Sequence, residues 1–218
     1  MENLVNLFSK RKERGDKVYI SSETDYYHYN CNNENDNCWG CAYRCLQMIV
    51  DNMKKQDDSV ALKVPKILEI QKVLARVGDK LTDKDIGSQT WIEPPDVACY
   101  LEKELFRKAK SVRIKIKESN MLERFQNQLK EHFETHKTPV MIDDSIKAYV
   151  INGVKFEKNG NVQVLLFDPH FCQNYVYQDF KNNVAKGVSW KNISTLFDKN
   201  IEWMVAFPTL NKIKTVQI

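Results

Sequence analysis

The chain has 218 residues, 42% of them apolar, which is enough to bury one core. Its 33 basic and 29 acidic residues leave a net charge of +4 and are mixed along the whole length, so no single-sign stripe can track a phosphate backbone and nucleic acid is not an expected partner. Residues 1–17 lack the apolar stretch and small-residue cleavage site of a signal peptide, and no apolar run approaches the roughly 18 residues that span a bilayer, so neither export nor membrane insertion is expected.

The whole chain, 1–218, reads as a single domain, with residues 1–20 as a mobile or helical N-terminal arm. The Asn- and Asp-rich stretch 30–37 has the chemistry of a turn-forming loop. From Gly40 onward Ala42, Leu46, Ile49, Val50 and Met53 recur at three- and four-residue steps, which predicts a helix with one buried face starting at about Cys41. Pro65 and Gly78 bracket a second helix, with Ile67, Ile70, Leu74 and Val77 among its apolar positions. A third is predicted over 95–108, a half-exposed strand over 111–117 and a helix over 121–133. After residue 138 the pattern changes. The runs 139–142, 148–154, 162–167 and 202–207 are short, apolar or β-branched, and separated by Gly, Asn and Asp, as strands are. Helices followed by strands predict an α+β fold with a helical half packed on an antiparallel sheet.

Six cysteines, four of them crowded between Cys31 and Cys45, make an awkward disulfide framework without a secretory route, so free thiols in a reducing, cytoplasmic setting are expected. Cys41 stands out among them. A thiol in the first turn of a buried helix feels the positive field of the helix N-terminus, which, especially beside a histidinium, can bring a thiol from about 8.5 into the range of roughly 3.5 to 7.5. Gly40 before it leaves room for a peptide to approach, and the Cys41 N–H can point at a developing oxyanion.

Of the four histidines, His132 and His136 sit on a charged helix end and read as solvated, and His28 lies in a Tyr-rich segment. His170 follows the strand 162–167 in Asp168-Pro169-His170. On an extended chain Asp168 and His170 share a face, so the carboxylate can hold one imidazole nitrogen and leave the other for a thiol. The alternative for Cys31, Cys38, Cys41 and Cys45 is a zinc site, but no second C-x2-C or His pair follows, and Cys45, one turn after Cys41, reads as a small buried helix residue. No metal or cofactor is therefore expected. Trp91 and Trp190 read as core. Trp39, next to the nucleophile, is expected to wall a channel too narrow for anything but a glycine-ended tail.

The segment Tyr26-Tyr27-His28-Tyr29-Asn30-Cys31, then Cys38-Trp39-Gly40-Cys41-Ala42-Tyr43-Arg44-Cys45-Leu46-Gln47, resembles the nucleophile region of the proteases specific for ubiquitin-fold modifier 1. The likeness continues through Gly87-Ser88-Gln89-Thr90-Trp91-Ile92 and Thr138-Pro139-Val140-Met141-Ile142 into Asp168-Pro169-His170. It implies a papain-like cysteine peptidase fold in its short, catalytic-domain form, with Cys41 as nucleophile, His170 as base, Asp168 as its orienter and Tyr29 as a phenol donating to the oxyanion. It further implies a thiol protease that trims the modifier precursor after its C-terminal glycine and releases the modifier from lysine conjugates, working as a cytoplasmic monomer. Two positions depart from the family pattern. Cys38 stands where glycine is usual, and Asp143-Asp144 replaces a glycine pair. Autophagy proteases for another ubiquitin-like modifier share Trp-Gly-Cys and Asp-Pro-His, but the Tyr-His-Tyr and Ala-Tyr-Arg segments favour the first family.

Overall fold

The computed structural model of the chain describes residues 4–10, 13–60, 63–77, 80–117, 119–170, 187–197 and 200–213. Gly78, the expected helix stop, and Cys172, the sixth cysteine, lie outside the described residues. Within the N-terminal arm are a short helix α1 (Leu4–Ser9) and a strand β1 (Lys17–Ile20), the latter paired into the sheet.

Helix α2 (Cys41–Gln56) begins where the apolar spacing predicts, yet it is buried on every side from Cys41 to Met53 and not on one face alone. Its polar positions are buried because they too find partners. Gln47 Nε2 donates to the Pro65 carbonyl at 2.8 Å, and Asn52 Nδ2 donates to the carbonyls of Ser22 and Glu23 at 3.1 and 3.0 Å. Such groups tolerate removal from water only when bonded.

Helices α3 (Ile67–Val77) and α4 (Pro94–Lys103) pack together. Prolines in the first turn and a reciprocal Glu93/Asp96 capping box start α4. It ends earlier than the apolar spacing suggests, because Phe106 takes a positive φ of 52° and the next residues are drawn into strand β2 (Arg107–Lys115) by pairing with the C-terminal strand. Helix α5 (Ser119–Thr135), strands β3 (Val140–Asp143), β4 (Ala148–Phe156), β5 (Val162–Phe167) and β6 (Val188–Asn192), the short helix α6 (Ile193–Leu196) and strand β7 (Glu202–Lys212) complete the described elements.

The strands form one antiparallel sheet in the order β2-β7-β3-β4-β5-β6, with β1 joined to β4. Side chains alternate across a strand, so each strand feeds two cores. Met141, Val150, Leu165, Phe167 and Ala206 face the core of α2, α3 and α4. Val140, Ile142, Ile151, Val164, Leu166 and Val205 face Phe125, Leu129 and Phe133 of α5 and Ile193 of α6. The sheet is thus covered by helices on both faces, with α2 lying over β3 and β4.

His132 is a correction to the sequence reading. It is buried, its Nε2 lies 2.9 Å from the Thr138 carbonyl, and burial pushes its pKa down to about 4. A carbonyl can only accept, so Nε2 carries the proton of a neutral ring. This histidine fastens the end of α5 to the approach of β3, a role invisible in the charged sequence around it.

Candidate active site

Strand β5 ends at Phe167, and the Asp168 N–H continues the pairing by donating to the Gly187 carbonyl at 2.7 Å. The residues that follow are not extended, as the sequence reading assumed, but fold into a tight turn. Asp168 Oδ1 accepts from the His170 backbone N–H at 3.0 Å and lies 2.7 Å from His170 Nδ1. A carboxylate accepts only, so Nδ1 carries a proton and Nε2 is left for another group. That nitrogen is buried and meets no aligned partner among the described residues, but the Cys41 sulfur lies within its electrostatic reach. Burial alone would press the imidazole toward neutrality. The hydrogen bond to Asp168 and the attraction of a Cys41 thiolate outweigh it and raise His170 to about 9. Asp168 is half-buried, which works against its charge, yet the hydrogen bonds from His170 hold its carboxyl below the usual range.

Cys41 is the first residue of α2, where the leading N–H groups of a helix lack intrahelical partners. Tyr29 reaches it from the preceding loop. Burial pushes the Tyr29 phenol up, and its hydrogen bond to the Cys41 sulfur and the thiolate charge add to the shift, so the hydroxyl stays a donor. The Tyr29 ring meets the His170 ring edge-on at 5.4 Å, and its backbone N–H donates to the Pro169 carbonyl at 2.9 Å. Tyr26 donates its hydroxyl to the Asp168 carbonyl, in space that a side chain at Gly187 would occupy. The sequence-predicted Cys41, His170, Asp168 and Tyr29 are therefore brought together. If Tyr29 donates to the oxyanion as the resemblance implies, replacing it by Phe should lower kcat by roughly 10² to 10³ with little change in KM. An unchanged kcat would show that the phenol only packs.

Trp39 is half-buried and meets Tyr43 edge-on at 5.7 Å. Gly40 is buried, and the side it leaves open is taken by Asp36: an added Cβ would sit 2.3 Å from Asp36 Oδ2. Glycine at this position makes room for an internal carboxylate, a reason that the sequence reading did not contain. Cys38 is exposed and takes a positive φ of 68°, a conformation that glycine adopts without strain and that fits the glycine the resemblance implies at this position. Asp143 and Asp144 hydrogen-bond their own turn. Asp143 Oδ1 accepts from Ser145 N–H at 2.6 Å and Asp144 Oδ1 from Ile146 and Lys147 N–H at 2.9 and 2.6 Å. Cys45 is fully buried and its thiol is pushed up by that burial. Among the described residues no group of three or more His, Cys, Asp or Glu is arranged to hold a metal ion. Trp190 packs against the core, whereas Trp91, expected there, is 41% exposed.

Two features escaped the sequence reading. Tyr149 of β4 lays its ring 5.2 Å from the His170 ring, a contact made because β4 and β5 are paired. Arg44, on α2, is fully buried and bound to Asp36 through Nε and Nη2, both at 2.8 Å. A charged residue three positions after a candidate nucleophile, between Tyr43 and Cys45 on a helix expected to be buried there, was the signal available for it.

Residues 15–204 match peptidase family C78. The "Probable Ufm1-specific protease" of Oryza sativa subsp. japonica is 39% identical over 153 residues, which is 70% of this chain and 23% of that protein. The "Ufm1-specific protease 2" of Danio rerio is 32% identical over 195 residues, 88% of this chain and 47% of that protein. The crystal structure of UfSP from C. elegans shares the fold with a TM-score of 0.76 at 24% identity, covering 96% of this chain and 37% of that one. The α+β, papain-like architecture expected from the sequence is the one observed, and the chain spans less than half the length of each of these relatives.

Proposed function

The chain belongs to peptidase family C78, and from that membership and the site geometry we propose that it is a cysteine protease that cleaves the ubiquitin-fold modifier 1 precursor after its C-terminal glycine and releases the modifier from lysine conjugates. The observation that carries this reading is the Cys41 thiol at the start of α2, facing an imidazole that Asp168 holds by Nδ1.

In this reading the Cys41 thiolate attacks the carbonyl of the terminal glycine. Negative charge moves to the carbonyl oxygen, where the Tyr29 hydroxyl and the Cys41 N–H donate to it. His170, charged through its pairing with Asp168, gives its Nε2 proton to the departing amine as the C–N bond breaks, leaving a thioester. The neutral imidazole then takes one proton from water, whose oxygen attacks the thioester; the C–S bond breaks, freeing the glycine carboxylate and the Cys41 thiolate, and the second proton passes to solvent. The α-amine of a precursor tail and the ε-amine of a lysine leave by the same step, which is why both substrates are included. All four groups come from one chain, consistent with a monomer. Among the described residues Cys31, Cys38, Cys41 and Cys45 are free thiols, consistent with a reducing compartment such as the cytoplasm.

The test is a panel of ubiquitin-like modifiers bearing C-terminal electrophiles, followed by mapping of the labelled residue. Ubiquitin-fold modifier 1 is expected to attach, and to attach at Cys41. Attachment of an autophagy modifier instead, or at another cysteine, would overturn the reading.

Trp39 supplies the proposed selection for glycine, since its indole stands two residues before the nucleophile. A tail ending in alanine should be cleaved more slowly than one ending in glycine by about 10- to 100-fold, the worth of one misplaced methyl in a shaped site. Trp39→Ala should shrink that ratio while slowing both substrates. A ratio of kcat/KM values that the variant leaves unchanged would remove the indole from the channel wall.

A further inference from the structure

We infer that Arg44 and Asp36 are positioning residues, a buried ion pair that sets the placement of the Tyr29 hydroxyl relative to the Cys41 sulfur. The inference rests on the proposed reading of Cys41 as nucleophile and Tyr29 as oxyanion donor.

Both partners are 0% exposed. One guanidinium ties the loop of residues 31–36 to helix α2. Nε and Nη2 grip the two oxygens of Asp36, Nη1 donates to Glu34 Oε2 at 3.1 Å and Gln47 Oε1 at 2.9 Å, and Nη2 also donates to the Cys31 carbonyl at 3.2 Å. Asp36 passes the constraint both ways. Its Oδ1 accepts from the Asn30 N–H at 2.7 Å, directly after Tyr29, and its backbone carbonyl accepts from Trp39 and Gly40 N–H at 3.2 and 2.9 Å, directly before Cys41. The backbone on the far side of Tyr29 is tied to the Pro169 carbonyl. The phenol is thereby fixed between the Asp168-Pro169-His170 turn and the helix that carries the thiol.

A buried pair of this kind is weak evidence for stability, because losing hydration offsets much of the attraction, whereas its planar, two-pronged geometry fixes orientation tightly. Position 40 carries the same message. Its missing Cβ is the space into which the Asp36 carboxylate fits, so Gly40→Ala would push that carboxylate off Arg44.

Arg44→Gln is expected to lower kcat by about 10- to 100-fold, the cost of a misplacement on the order of 1 Å, with KM held within about twofold. Alkylation of Cys41 by iodoacetamide develops no oxyanion, and freeing the sulfur from the Tyr29 hydroxyl does not weaken it as a nucleophile, so its rate should not fall with turnover. The double variant Tyr29→Phe/Arg44→Gln should be about as slow as Tyr29→Phe alone, because the second change acts through a hydroxyl already gone. Should the lone Asp36 charge prevent folding, Asp36→Asn/Arg44→Gln removes both charges and takes the same three measurements, with thermal unfolding confirming a folded protein at the assay temperature. Undiminished kcat, alkylation that falls in parallel with turnover, or multiplicative losses in the double variant would each overturn the inference. Turnover retained by Cys41→Ser would instead overturn the reading of the site on which it rests.

Discussion

Cys41→Ser is expected to abolish turnover while leaving the fold and modifier binding intact. Oxygen replaces sulfur with almost the same shape, so the packing at the start of α2 is kept, and the residue is 4% exposed with no space to relax into. What is lost is the proposed nucleophile. An alcohol is not ionised here, and an imidazole poised to accompany a thiolate is a poor match for removing a hydroxyl proton as attack proceeds. The measurement is single-turnover cleavage of a precursor together with an affinity for the mature modifier. More than a few per cent of wild-type rate would move the nucleophile elsewhere. Cys38, which is exposed, is then the nearer candidate, since Cys45 is sealed in the core.

Asp168→Asn should slow the reaction by about 10² to 10⁴, the upper figure being the drop that follows when the orienting carboxylate of a serine-protease triad becomes an amide. Oδ1 of Asp168 holds both the backbone N–H and Nδ1 of His170, and an amide presenting its NH₂ to the ring would favour the tautomer with the proton on Nε2, facing the sulfur. The pH dependence should move as well. His170 stands at about 9 against an ordinary value near 6.5. A raised histidine stabilises the fold fully below about 6.5, and that contribution is lost as pH rises through about 9. The imidazolium needed to protonate the leaving amine is lost over the same window, so wild-type kcat/KM should fall on its alkaline side near 9. In Asp168→Asn the strongest support for the charged ring is gone, and the alkaline limb should shift to lower pH. A rate within threefold of wild type with an unmoved limb would show that Asp168 does not orient the base.

The start of α2 at Cys41, the strands from Val140 to Phe167 and the Asp-Pro-His element after β5 were legible in the sequence, because each is a local pattern: a helical period, an alternation, a turn dipeptide. The pairing of Asp168 with His170 was legible as well, since residues two apart on an extended chain share a face and lie close enough for a carboxylate to reach an imidazole. Its geometry was not. The extended spacing assumed for it is replaced by a turn in which one carboxylate oxygen serves both backbone and ring.

What only the tertiary structure decided depends on partners distant along the chain. Strand β6 carries weak alternation and exists through its pairing with β5, and β1 forms only because β4 presents an edge to it. Trp91 is exposed, against the usual burial of tryptophan, and His132 is buried, against the charged residues beside it, because burial follows what packs over a residue and not its type or its neighbours. Arg44 shows the limit most clearly. Periodicity marks which positions of a helix are apolar, but a buried cation is stabilised by the carboxylate, carbonyl and amide that a preceding loop delivers to it. Those partners sit at residues 31, 34 and 36 of a turn-rich segment with no period of its own. The chemistry of the site is therefore written in single residues of the sequence, while its alignment comes from long-range hydrogen bonds that no local pattern encodes.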